Sequence, residues 1–95
     1  MTQKSWRVTV TTAGTAVQGP DTGPGSFIVR GDPANAGVIY MGNDGADGVS
    51  ATTGYILDSG VQVIVDINSM NKFWFDAAVS GDDVVILSLS NRLMP

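Results

Sequence analysis

Histidine, cysteine and glutamate are all missing from this 95-residue chain, and each gap closes off some chemistry. Without histidine there is no imidazole to act as a general base near neutral pH, and the usual activator of a serine nucleophile is gone. Without cysteine there are no disulfides, zinc–thiolate sites or thiol nucleophiles, although this fixes no compartment. With glutamate absent, all 9 acidic residues are aspartate, the member of the pair that suits turns and caps rather than helix interiors. Charge of either sign is scarce: 15% of residues are charged, against about 25% in ordinary domains. Lys and Arg total 5 and the net charge is −4, which does not favour a nucleic-acid backbone. No apolar run approaches the roughly 18 residues of a membrane span, and the polar, alternating "MTQKSWRVTV" lacks a secretory apolar segment. The expectation is a soluble protein that is not an enzyme, with no cofactor, no metal, no nucleic-acid partner and no membrane association.

What is present is apolar and strand-forming. Hydrophobic residues make up 43% of the chain and the mean hydropathy is +0.15. A single domain of this length buries only about 60–65% of its unfolded surface, so it should be more polar than average. The surplus is carried partly by Thr, Ser and Gly, and partly by surface expected to be covered by other chains.

Val, Ile, Thr and aromatic residues come in short runs separated by Gly, Asp, Asn, Ser and Pro, and no segment sustains a helical period. In "SWRVTVTT", Trp6, Val8 and Val10 share one face and Arg7, Thr9 and Thr11 the other, as a period of two requires. "GPDTGPG" is a loop, because Pro20, Pro24 and its glycines disfavour a ladder. "SFIVR" and "VIYMG" read as strands separated by a turn at Pro33, and "TGYIL" and "VQVIVDIN" as strands joined by a tight turn at Asp58-Ser59-Gly60. "KFWFDAAV", a turn at "SGDD" and "VVILSLS" complete the series. Seven or eight short strands at this spacing predict an all-β fold, a compact antiparallel β-sandwich or jelly-roll-like small barrel. Residues 1–95 form one domain, with short flexible ends at about 1–5 and 91–95.

Two clusters invite a chemical reading. "GNDGADG", residues 42–48, loosely imitates a calcium loop. It places Gly45 where an oxygen ligand belongs and Gly54 where a bidentate carboxylate is needed, so no specific ion is expected at Asn43, Asp44 and Asp47. A strand connection rich in positive-φ positions accounts for the composition. Asp82-Asp83 follows Ser80-Gly81 and reads as a solvated turn rather than a catalytic pair, since neighbours on a strand face opposite ways. The glycines match no phosphate-binding pattern.

The remaining candidates are surfaces. In "KFWFD", Phe73 and Phe75 face one way and Trp74 the other. An outward Trp74 suits a protein interface or a stacked sugar, or it lies covered by a loop such as "GPDTGPG". The last strand is apolar on both faces, with Val85, Leu87 and Leu89 on one and Val84 and Ile86 on the other. In so small a chain, double coverage calls for a partner. The candidate interface residues are Trp74, Val84, Ile86, Trp6 and Tyr40.

These residues also carry a resemblance. "RVTVTTAGTAVQ", "NAGVIYMGNDGADGVSATTGYIL" and "SGVQVIVDINSMNKFWFDAAVSGDDVVIL", spanning about Trp6 to Leu89, resemble a strand-and-turn pattern of small virion proteins of tailed bacteriophages. The resemblance implies a compact β-sandwich, often trimeric, located on the virion. It would serve as a capsid cement or decoration protein whose partners are its own copies and the major capsid protein. The alternative is a head or tail spike or fibre module that recognises a host glycan or receptor through loops and an aromatic such as Trp74 or Tyr40. The short ends would order on a neighbouring capsid subunit.

Overall fold

The computed structural model of the chain describes residues 4–42, 49 and 54–89. Among the described residues eight strands follow one another: β1 (Ser5–Thr9), β2 (Val17–Gln18), β3 (Gly25–Gly31), β4 (Ile39–Gly42), β5 (Tyr55–Leu57), β6 (Gln62–Ile67), β7 (Trp74–Ala77) and β8 (Asp83–Leu89). Their pairing is nested. β1 lies against β8, β2 against β7, β3 against β6 and β4 against β5, all antiparallel. This is a long hairpin folded over on itself. Lateral contacts of β3 with β8 and of β4 with β7 complete two four-stranded sheets, β1-β8-β3-β6 and β2-β7-β4-β5. The result is a β-sandwich with the strand order of an eight-stranded jelly roll.

Alternation decides which side chains fill the space between the sheets. The first sheet sends Val8, Phe27, Val29, Val84 and Ile86 inward, and the second sends Ile39, Met41, Leu57, Phe75 and Ala77. Trp6 meets Phe27 edge-on at a centroid distance of 6.1 Å, closing the core near β1. The expected Asp58-Ser59-Gly60 turn is present: the Val61 amide donates to the Asp58 carbonyl at 3.0 Å, and Gly60 takes a φ of +80°, a value that favours glycine.

Some local features differ from expectation. Val17–Gln18 forms a strand, although two residues are too few for alternation to show. "KFWFD" enters its strand only at Trp74, because Met70–Lys72 makes a 3-10 turn capped by the Ser69 hydroxyl, which accepts from the Asn71 amide. Lys4 and Ser5, expected within a flexible end, are instead held against the last strand. The Lys4 amide donates to the Ser88 hydroxyl at 2.9 Å, the Ser88 amide donates to the Lys4 carbonyl at 2.8 Å, and Ser5 already belongs to β1. Residues 1–3 and 90–95 lie outside the described residues.

Candidate functional site

Two aspartates, Asp82 and Asp76, are tied to backbone amides. Asp82 is buried, not solvated as its place in a turn suggested. Its two carboxylate oxygens accept from the amides of Ala36 at 3.0 Å and Gly37 at 2.8 Å. Burial is tolerable because the carboxylate meets oriented donors, and it ties the β3–β4 connection to the start of β8. Asp76 points away from the core yet is buried too, under the segment after β1, and accepts from the amides of Gly14 at 2.9 Å and Ala77 at 2.8 Å. Among the described residues no three acidic side chains converge as a metal site. Asn43, Asp44 and Asp47 lie outside the described residues.

Asp83 instead belongs to a surface ion-pair cluster. Arg7 Nη1 reaches Asp32 at 2.5 Å and Asp83 at 2.7 Å. The Ala34 amide and then the Arg7 guanidinium hold the Asp32 carboxyl down at about 2, from an ordinary 3.8. A folded-state value below the unfolded one means the contribution is fully present above about pH 4 and is lost as pH falls toward 2. The melting temperature is therefore expected to fall across that window, and Asp32→Asn should flatten that part of the curve. An unchanged acid limb in the variant would remove Asp32 as a contributor. Exposed pairs of this kind contribute little at neutral pH.

The two outer faces carry the apolar surplus. On the first sheet, register aligns side chains in rows across the strands: Arg7, Val85, Arg30 and Gln62; then Ser5, Leu87, Ile28 and Ile64; then Leu89, Ser26 and Asp66. The middle row is apolar over three strands, with Ile64 at 64% and Leu87 at 38% exposure. On the second sheet, Tyr40 pairs with Ile56 on one side and Asp76 on the other, and Trp74 lies beside Gly42. Tyr40 and Trp74 are half-buried there, while Ile56 is 52% exposed. At the open side of the sandwich, Met41, Tyr55, Val63, Val65 and Phe73 line an apolar cleft of about 330 Å³.

Two of the five candidate interface residues therefore share a surface. Trp74 and Tyr40 lie together on the outer face of the second sheet. Val84 and Ile86 are in the core at 0% and 1% exposure, which corrects their assignment to an interface. With both faces of β8 apolar, alternation alone cannot say which set is inside. Pairing with β1 and β3 turns Val85, Leu87 and Leu89 outward instead. Trp6 is half-buried against Phe27 and serves the core. Ile28 and Ile64 were missed as surface candidates because each sits singly in its own strand, and only strand pairing joins them to Leu87. No family model matches the chain, and neither a curated protein nor a solved structure matches it.

Proposed function

We propose that this chain is a structural virion protein, a cement or decoration protein that adds to the outer surface of a phage head and stabilises it. The observation that carries the reading is the apolar surface on both outer faces of the sandwich, with Ile56 at 52%, Ile64 at 64% and Leu87 at 38% exposure. Patches of this kind mark contact surfaces. Two further points support it. Jelly rolls are a recurrent architecture of capsid domains, though a fold by itself assigns no function. The strand-and-turn pattern from Trp6 to Leu89 also resembles that of small phage virion proteins.

In this reading the outer face of β2-β7-β4-β5 meets the shell through Tyr40, Ile56 and Trp74. Apolar burial contributes about 25 cal/mol per Å², and many bound copies make even a modest footprint effective around a closed shell. The test is co-sedimentation of the purified chain with phage heads assembled without it. Saturable occupancy is expected, and Ile56→Asp should reduce it about tenfold, roughly 1.4 kcal/mol. Failure to bind heads, combined with binding to host cells or glycans, would replace this reading by the spike module.

A further inference from the structure

We infer that the outer face of the β1-β8-β3-β6 sheet is a self-complementary interface, through which two copies of the chain pack face to face about a two-fold axis running across the strands. The inference rests on the row pattern of that face and is independent of a virion role.

Rows on a strand face stand about 6.8 Å apart and strands about 4.8 Å apart. A two-fold axis along the middle row lays each strand over its own copy, running the opposite way, and exchanges the two flanking rows. Leu87, Ile28 and Ile64 then each meet themselves. Leu89 meets Val85 of the second copy, Ser26 meets Arg30, and Asp66 meets Gln62, by the register of β8, β3 and β6. Each juxtaposition is apolar with apolar or polar with polar. Asp66 stands one strand, about 4.8 Å, from the position facing Arg30, within reach of its guanidinium. Turning the axis to run along the strands would instead set Arg30 over the apolar Val85 of the second copy and leave the two Arg30 side chains one strand apart with no carboxylate between them, an arrangement that costs energy.

Arg30 supplies the second argument. Arg7, in the same row, is neutralised by Asp32 and Asp83. Among the described residues Arg30 makes no ion pair, and its covered Nε has no hydrogen-bond acceptor. The side chain lies in a shallow hollow of about 260 Å³ with Ile28, Val85 and Leu87. A carboxylate brought by a second copy compensates that charge. One patch that complements itself produces an isologous pair, whereas a ring of three needs two different patches. Self-association expected from the sequence is thereby given a location and a symmetry, two-fold rather than the trimer that the resemblance implied.

Four strands and three rows make a contact at the lower end of specific interfaces, so dissociation in the micromolar range is expected. Light scattering and sedimentation of the full chain over a concentration series should move from 9.9 kDa to about twice that mass. Arg30→Glu and Asp66→Arg should each weaken association about tenfold, and the double variant should recover it. Within one chain these residues stand roughly 14 Å apart along the strands, too far for the recovery to be internal. Because the chain has no cysteine, Ile64→Cys treated with a short bis-maleimide should give a covalent dimer, and Ile56→Cys on the opposite sheet should not. Ile64 is exposed, so this second variant leaves folding intact. A monomer at every concentration, a trimer, no recovery in the charge swap, or equal cross-linking from Ile56→Cys would each overturn the inference.

Discussion

Phe75→Ala is expected to lower the melting temperature by about 15–30 °C, the largest effect of any single substitution proposed for this chain. Phe75 is fully buried and sits in the inward row of the second sheet between Val17 and Met41. Its ring lies so close to Gly19 that a Cβ placed on that glycine would be 3.2 Å from the Phe75 Cε2 atom. Removing the ring loses its transfer energy and leaves a void that rigid sheets on both sides cannot collapse to fill. Such changes cost about 3–5 kcal/mol, a large share of the roughly 5–14 kcal/mol available to a domain of this size. Ile64→Ala, on an exposed site, should stay within about 0.5 kcal/mol of the parent. Thermal and urea melts of the two variants make the comparison. A Phe75→Ala protein melting within a few degrees of the parent would remove Phe75 from the centre of the core.

The second large effect is expected at Asp82. Asp82→Ala strips the acceptors from the Ala36 and Gly37 amides together, and both lie in a part-buried connection where water replaces them poorly. Leaving two donors unmet should cost about 2–4 kcal/mol. Asp82→Asn should recover less than half, because its amide nitrogen presents a donor where an acceptor is needed. The loss has a local signature. Hydrogen exchange at Ala36 and Gly37 should accelerate more than exchange at Val29 or Ile86 in the core. Uniform acceleration across the chain, or no loss in the melt, would mean that the carboxylate does not hold this connection.

These two sites differ in how far the sequence reveals them. Phe75 is legible as an inward residue, since it alternates with Trp74 in a run of strand formers. Asp82 is not: a carboxylate after Ser-Gly in a turn reads as solvated, and only the return of the β3–β4 connection past the start of β8 brings the Ala36 and Gly37 amides to it. Asn35 behaves alike, its side-chain amide donating to the Asp83 carbonyl at 2.8 Å and its oxygen accepting from the Asp83 amide at 2.9 Å. Neither partner is near in sequence, so no local pattern could announce it.

What the sequence determines by itself is what one strand or turn can settle alone. The period of two separates Trp6, Val8 and Val10 from Arg7 and Thr9. Glycine at position 60 closes a turn, and runs of Val, Ile and aromatics define the strands. Everything that depends on which strand lies beside which belongs to the tertiary structure. It turns Val84 and Ile86 inward and Leu87 outward, although both sets are apolar. It also makes a strand of Val17–Gln18, which is too short to signal itself but is held by the edge of β7. Leu87, Ile28 and Ile64, far apart along the chain, become one apolar row only when β8, β3 and β6 pair. Side-chain alternation is a local steric consequence of extended backbone, whereas pairing is a competition among distant segments that hydrogen bonding and burial decide together.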